Sequence, residues 1–198
     1  MARPRDTAVD AKVLEAARVL LRERGYAGFA LDEAAARAEV ARTTVYRRWP
    51  TKDHLVVAAF ATMFETAPIR ETGDVRADLT ATLTAIAAGL RLPATRALVA
   101  ELIAAGTRHP ELGDALRPLW TQRRTAAAEL LVRAAARGEL AADADPALII
   151  DQLVGPLYYR VLISGDPIDD RFARALVDTT LARHHWHPTT ESPRGKPS

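Results

Sequence analysis

The sequence contains no cysteine among its 198 residues, and only 6% of the residues are aromatic. The missing thiols exclude disulfides, thiolate zinc sites and cysteine nucleophiles. The catalytic and phosphate-binding motifs GxSxG and HExxH, the P-loop and the glycine-rich dinucleotide fingerprint are also missing. We therefore expect a protein that is not an enzyme and that has no cofactor and no metal ion.

Long hydrophobic runs are scarce. The first residues lack the apolar core of a secretory signal, and the most apolar stretch, residues 147–163, is interrupted by Asp151, Gln152 and Arg160. With 48% hydrophobic residues and a net charge of only +2, the chain is too apolar and too balanced in charge for disorder. We therefore predict a soluble cytoplasmic protein with no membrane partner.

Lysine is nearly missing as well, since only Lys12, Lys52 and Lys196 among the 27 basic residues are lysines. Codon bias in a GC-rich genome is the simplest reason for this excess of arginine, and recognition of phosphate by the planar guanidinium group is the alternative. Residues 1–60 hold 11 basic and 8 acidic residues, whereas the remaining 138 hold 16 and 17. A basic front suits a DNA-reading part followed by a part with another task.

Alanine is the commonest residue, and β-branched runs are rare, so the composition favours an all-α protein. Glycine and proline divide the chain into about nine helical segments. A turn is expected at residues 111–117, and a disordered tail at residues 188–198. The predicted helices cover residues 8–24, 31–38, 42–48, 52–65, 75–90, 94–108, 119–137, 146–164 and 169–185.

Three of these helices lie within the first 50 residues, and the second and third are short and separated by the tight turn Glu39-Val40-Ala41. This arrangement is typical of a helix-turn-helix, in which the third helix enters the major groove of DNA. Trp49 is expected to fill the core behind that helix. Small apolar residues would let the two short helices cross closely, namely Ala34, Ala35, Ala38 and Val45.

The third helix, residues 42–48, carries side chains suited to reading a DNA groove. Arginine can bond guanine in a bidentate manner, threonine can contact a thymine methyl group or a phosphate, and a tyrosine hydroxyl can reach a phosphate. Lys52 would bring a charge and free backbone N–H groups to the DNA backbone. Two adjacent arginines such as Arg47 and Arg48 are more often only solvated. Here they share one short helix with threonine and tyrosine inside a helix-turn-helix pattern, which favours DNA contact. At helical spacing the outward residues are Arg42, Thr43, Thr44, Tyr46 and Arg47.

The stretch LDEAAARAEVARTTVYRRWPTK at residues 31–52, together with Gly25-Tyr26, resembles the N-terminal signature of the TetR family of bacterial transcriptional regulators. The run TTVYRRWPTK is similar to one subgroup of that family. The resemblance implies a helix-turn-helix DNA-binding domain at residues 8–66 and a ligand-binding and dimerisation domain at residues 67–187. It also implies a homodimer on double-stranded palindromic DNA that represses transcription until a small-molecule effector binds.

The resemblance also assigns roles by position. Arg42, Thr43 and Thr44 stand where the family reads bases and nearby phosphates. Phosphate contacts fall to Tyr46, Arg48 and Lys52. Two residues depart from the family pattern: Ala30 replaces the usual capping hydroxyl of the second helix, and Glu39 replaces the usual turn glycine. A left-handed backbone at Glu39 would carry strain of about 1 kcal/mol.

Two further sets of residues are expected in the back half. The helix over residues 146–164 is apolar on more than one face, and a second copy of the chain is the simplest cover, which predicts an isologous dimer. The predicted interface residues are Ile150, Val154, Leu157, Val161, Phe172 and Leu176. Residues that could line the ligand pocket of the family, although plain core is the commoner role, are Met63, Phe64, Trp120, Tyr158 and Tyr159.

Three functional hypotheses follow from the sequence. The first is a ligand-responsive TetR-like repressor. The second is a constitutive DNA-binding or protein-partner module without an inducer, and an all-helical enzyme is a distant third. An apolar cavity of several hundred Å3 in the C-terminal part would favour the first hypothesis, and a filled core would favour the second.

Overall fold

A computed structural model of the chain describes residues 7–62 and 69–184. Within these ranges the backbone forms nine α-helices and no strand, which confirms the predicted all-α class. The pocket candidates Met63 and Phe64 and the tail at residues 188–198 lie outside the described residues. The helices are α1 (Thr7–Arg24), α2 (Leu31–Arg37), α3 (Arg42–Arg48), α4 (Lys52–Ala61), α5 (Val75–Arg91), α6 (Pro93–Arg108), α7 (Pro110–Ala136), α8 (Pro146–Tyr159) and α9 (Asp170–Arg183).

The described helices form two compact units that do not follow the order of the chain. The first unit holds residues 7–62 and Gly89–Gln122, and the second holds residues 69–88 and 123–184. Helices α5 and α7 therefore contribute residues to both units. The division into functional parts at residues 8–66 and 67–187 stays a prediction.

Helix α1 is the centre of the first unit, where it packs against α2, α4 and α6. The buried side of α1 recurs every three or four residues, as expected for a helix with one apolar stripe. Gly25 ends the helix with a φ of 65°, a left-handed conformation that glycine adopts without strain. The buried residues of the stripe are Val13, Ala16, Ala17, Leu20 and Leu21.

Helices α2 and α3 cross closely because the residues between them are small. Ala34, Ala35 and Val45 are buried, as the sequence predicts. Glu39, which stands where the family has a turn glycine, adopts a left-handed φ of 55° and therefore carries backbone strain of about 1 kcal/mol. No side chain caps α2 at Ala30, whereas Thr51 caps α4 by accepting a hydrogen bond from the His54 N–H. Trp49 is half-buried, and the interior position is taken by Val45 instead.

Helix α7 differs from the sequence prediction. A turn was expected at residues 111–117, with a helix starting at residue 119, but a single helix runs through Pro118 from Pro110 to Ala136. Proline in a helix interior loses one backbone hydrogen bond and strains the turn before it. Burial of Leu112 and Leu116, four residues apart on one face, offsets this cost.

The second unit is built around buried apolar stripes of α5, α7, α8 and α9. Two carboxylates, Asp78 and Glu139, are buried with them. Glu139 accepts hydrogen bonds from the Val75 N–H at 2.7 Å and from Arg137 Nε at 2.5 Å. Because a buried carboxylate needs such partners, Glu139 fixes the first residue of α5 against the segment that follows α7.

Helix α8 continues into a π-helical turn, Arg160–Ser164, that ends at Gly165. By length and composition the combined segment Pro146–Ser164 could cross a membrane, and 22% of it is buried. Its charged residues have partners within the unit, because Asp151 pairs with Arg124 and Arg160 donates to the Pro167 carbonyl. Within one chain the segment is not buried on every side, so an apolar surface of this segment is open.

Helices α6 and α7 approach closely at two glycines. A Cβ atom on Gly113 would lie 2.9 Å from the Gly106 carbonyl oxygen, whereas a Cβ on Gly106 would lie 3.7 Å from its nearest neighbours. We expect Gly113→Ala to lower the free energy of unfolding by about 1–3 kcal/mol, because backbone atoms would have to move. Urea denaturation followed by circular dichroism measures this difference.

Gly106→Ala is the matched control, since it adds the same methyl group at ordinary contact distance. It should be neutral or stabilising by up to about 1 kcal/mol, the gain from replacing glycine in a helix. Equal effects of the two substitutions would contradict the assigned close contact.

Candidate nucleic-acid interface

Helix α3 presents one exposed face formed by Arg42, Thr43, Tyr46 and Arg47. These positions lie on one side because residues four apart in a helix are neighbours. Val45 is buried on the opposite side and anchors α3 in the first unit. Four side chains able to bond bases or phosphates therefore share one accessible surface.

Asp32, in the first turn of α2, holds two of these side chains. Its carboxylate lies 3.0 Å from Arg42 Nη1 and accepts a hydrogen bond of 3.1 Å from the Tyr46 hydroxyl. This hydrogen bond raises the pKa of Tyr46 above its ordinary value, so the hydroxyl keeps its proton. Asp32 orients both groups while it also offsets part of their positive field.

Arg47 differs from its neighbours on α3. It is exposed, and within the described part of the chain it has no ion pair or hydrogen bond. Its five N–H donors are therefore available to an outside acceptor, and its removal would leave no internal group without a partner. Of the α3 arginines, Arg47 is the one best suited to direct contact with DNA.

Arg48 has a different environment. Its guanidinium pairs with Asp10 near the start of α1, and the two side chains are only 19% and 27% exposed. Thr44, one turn earlier, is half-buried as well. The pair with Asp10 connects the last turn of α3 to α1, so Arg48 serves to position the helix in the free protein.

Lys52 begins α4 and lies over the aromatic ring of Tyr26, 4.1 Å from its centroid. The Tyr26 hydroxyl donates a hydrogen bond of 2.5 Å to the adjacent Asp53. Burial, followed by this hydrogen bond, raises the pKa of Tyr26 far above its ordinary value. The N-terminal turn of α4 is thus attached to the loop that follows α1.

The seven predicted DNA-binding residues lie on α3 and at the start of α4. Four of them are exposed, and three are half-buried, namely Thr44, Arg48 and Lys52. Sequence reasoning missed three partners of these residues, Asp10, Asp32 and Tyr26, and also Asp53, which accepts the hydrogen bond from Tyr26. Tyr26 and Asp32 belong to the residues that resemble the family signature, so that resemblance could have pointed to them. The pairing of Asp10 with Arg48 spans 38 residues and had no local pattern.

The predicted pocket residues in the described ranges have different environments. Trp120 is half-buried in the first unit and meets Phe60 edge to face at 5.7 Å. Tyr158 is half-buried in the second unit, and burial raises its pKa. Tyr159 is 56% exposed, so its assignment to an interior pocket is wrong. Helical spacing explains the error, because residue 159 lies two positions beyond Leu157, about 200° around the helix from that buried side chain.

The predicted interface residues also divide into two groups. Ile150 and Leu157 are buried inside the second unit and belong to its own core, which corrects their assignment to a surface. The other four are half-buried, namely Val154, Val161, Phe172 and Leu176. The exposed apolar residues of this segment are instead Leu148, Tyr159, Leu162 and Ile163.

Both parts of the chain match known sequence families. Residues 13–59 match the bacterial regulatory proteins of the tetR family, and residues 69–180 match the tetracyclin repressor-like C-terminal domain. The chain belongs to the TetR family. It is therefore a helix-turn-helix transcriptional regulator that binds DNA, as its sequence signature predicts.

Relatives of this TetR-family protein cover nearly its whole length. An uncharacterized HTH-type transcriptional regulator of Bacillus subtilis, YdeS, is 34% identical over 96% of each chain. The DNA-binding transcriptional repressor TetR of Mycobacteroides abscessus is 36% identical over 84% of this chain and 87% of its own. The crystal structure of the TetR family transcription regulator SCO0332 has a TM-score of 0.75 at 37% identity, and the match covers 88% and 97% of the two chains. TetR-family regulators bind DNA and small-molecule effectors, typically as dimers.

The pair of Arg48 and Asp10 gives a prediction about stability in this TetR-family protein. We expect Arg48→Ala and Asp10→Ala each to lower the free energy of unfolding by about 1–3 kcal/mol, because each leaves a largely buried charge without its partner. The double variant should lose clearly less than the sum of the two. Urea denaturation of the three variants gives these values.

Arg117→Ala is the control for these variants, because Arg117 is exposed on α7 and pairs with Asp114 one turn away. Its effect should stay within about 0.5 kcal/mol. Strictly additive losses at positions 10 and 48 would show that the pair does not stabilise α3.

Proposed function

We propose that this TetR-family regulator represses transcription by binding a palindromic operator as a homodimer and that a small-molecule effector releases it. The observation that carries the proposal is the exposed face of α3, where Arg42, Thr43, Tyr46 and Arg47 stand together. Two such helices related by a two-fold axis would read two half-sites in successive major grooves.

The proposed contacts differ in kind along α3. Arg47 and Arg42 are assigned to base edges, where a guanidinium can bond guanine twice, and Thr43 to a thymine methyl group or a phosphate. Tyr46, Thr44 and Lys52 are assigned to phosphates. Arg48 is assigned to positioning α3 through Asp10, with its remaining donors toward the DNA backbone. The similarity of TTVYRRWPTK to one subgroup of the family belongs to this proposal.

The homodimer is proposed to form through α8 and α9, which pack against each other in the second unit. Exposed apolar side chains recur along α8 and its π-helical turn at Leu148, Tyr159 and Leu162, with Ile163 beside them. Half-buried Val154, Val161, Phe172 and Leu176 would widen this surface. Covering apolar surface of this kind by a second copy is the expected driving force of association.

Release by an effector is proposed because ligand response is typical of the family. Trp120 and Tyr158 remain candidates for contact with the effector, together with Met63 and Phe64. A regulator of this kind acts on chromosomal DNA, so we propose a cytoplasmic location. Since the relatives and the fold are those of transcriptional regulators, we propose no enzymatic activity.

Operator binding tests the assignment of α3. The operator is first selected from a random DNA pool with the full-length protein. Arg47→Ala should then fail to protect this operator at concentrations at which the unaltered protein protects it fully. The reason is that loss of a bidentate contact costs about 1–3 kcal/mol in each half-site. Footprinting measures protection, and the thermal midpoint should not change because Arg47 has no internal partner.

Arg117→Ala serves again as a control, since it removes the same charge from the exposed side of α7 and should protect the operator normally. Protection by Arg47→Ala equal to that of the unaltered protein would refute the assignment of α3 as the recognition helix.

Sedimentation velocity tests the dimer. The unaltered chain of 21.5 kDa should sediment as a dimer at micromolar concentration, and Tyr159→Asp should shift it towards monomer. An aspartate at the centre of a buried apolar interface would lose its hydration without a partner. Val132→Asp on α7 is the matched control, because Val132 is 57% exposed and Tyr159 is 56% exposed. A monomeric unaltered protein, or an equal effect of both substitutions, would contradict the α8–α9 interface.

A further inference from the structure

Tyr26 occupies a junction between three segments of the first unit. It lies in the loop between α1 and α2 and is only 2% exposed. Its N–H donates to Glu101 Oε1 of α6 at 3.3 Å, and its ring lies 5.1 Å from the ring of His109, which follows α6. These contacts, together with those to Lys52 and Asp53, give the ring and hydroxyl of Tyr26 a fixed position at the start of α4.

The first two residues of α4 carry opposite charges at the end that the proposed function assigns to the DNA backbone. Lys52 would attract a phosphate, and Asp53, its neighbour in the same turn, would repel it. The helix does not need Asp53 as a cap, because Thr51 already accepts the hydrogen bond from His54. An exposed carboxylate at this place would therefore cancel most of the benefit of Lys52.

Tyr26 contacts both Lys52 and Asp53, but through different interactions. Its hydroxyl donates a hydrogen bond of 2.5 Å to Asp53 Oδ1, so that the carboxylate is held at a buried tyrosine. The face of its ring lies 4.1 Å below the Lys52 ammonium group, which is attracted to the ring without being neutralised by it. Among the described residues no carboxylate pairs with Lys52, so the ammonium keeps its full charge.

We propose that Tyr26 is a positioning residue for DNA binding, which holds the Asp53 carboxylate towards the protein and leaves the Lys52 ammonium group to a DNA phosphate. The proposal rests on the proposed function, in which the start of α4 meets the DNA backbone. The raised pKa of Tyr26 agrees with it, because the hydroxyl stays a donor throughout the physiological range.

The test uses the full-length protein and the selected operator with three variants: Tyr26→Phe, Asp53→Asn and the two combined. Tyr26→Phe keeps the ring and releases the carboxylate, so affinity should fall about three- to tenfold, as expected when an existing negative charge is free to move closer to a phosphate. Asp53→Asn alone should bind within about twofold of the unaltered protein. The combined variant should regain the affinity that Tyr26→Phe loses.

The combined variant separates positioning from stability. It lacks the hydrogen bond between a tyrosine hydroxyl and a carboxylate just as Tyr26→Phe does, so both should show a lower thermal midpoint. If the loss of affinity came from loosened structure, the combined variant would bind as weakly as Tyr26→Phe. Recovery of affinity without recovery of thermal stability is the result that the proposal requires.

Salt dependence provides a second readout. Removal of one phosphate contact makes the dependence of log K on log salt concentration less steep by about 0.9. The change of slope in Lys52→Ala measures the loss of the Lys52 contact in this protein. The slope for Tyr26→Phe should move towards that of Lys52→Ala, and the combined variant should return to the original slope.

Two results would overturn the proposal: unchanged affinity of Tyr26→Phe, or a combined variant that binds as weakly as Tyr26→Phe. A failure of the proposed function gives a different pattern, since Arg47→Ala and Lys52→Ala would then bind like the unaltered protein.

Discussion

The exposed face of α3, which the proposed function assigns to DNA reading, depends on the burial of Val45, because α3 is too short to be stable by itself. A helix of seven residues forms two turns, and isolated helices need about twelve or more residues to persist in water. Val45 fixes α3 against the small residues Ala34 and Ala35 of α2. α1 supports α2 from behind, so the orientation of the exposed face is set by packing and not by helix propensity.

A second theme is the pairing of cations with carboxylates around this surface. Asp10 meets Arg48, Asp32 meets Arg42, and Asp53 is held by Tyr26 beside Lys52. This explains how a chain with a net charge of only +2 can present a surface suited to DNA. The acids orient the side chains of the cations and reduce their entropy, and the exposed Arg47 keeps its charge unshared. Local arrangement therefore matters more than the overall charge.

The fold was largely predictable from the sequence, because glycine, proline and apolar spacing are local signals. The nine helices of the described ranges and the Thr51 cap follow from such signals. Pro118 misled the prediction, because a proline is read as a helix boundary unless the burial of Leu112 and Leu116 around it is known. The contacts of Asp10 with Arg48 and of Tyr26 with Asp53 were not predictable, since each joins residues far apart in the chain. The buried and exposed faces of α8 were assigned incorrectly for a related reason. An apolar residue on a helix can pack in the core of its own chain or against a neighbouring molecule, and the sequence does not distinguish the two.

The different environments of the three arginines on α3 have a consequence for the evolution of regulators of this type. Replacement of Arg42 or Arg48 disturbs an internal partner, so a change there needs a compensating change at Asp32 or Asp10. Arg47 has no such dependence, and position 47 can therefore accept many side chains while the protein remains folded. After a gene duplication, a single substitution at this position could give the two copies different operator preferences. If Arg47 contacts bases as proposed, the unshared arginine is the place where new DNA specificity can arise with the least disturbance to the rest of the molecule.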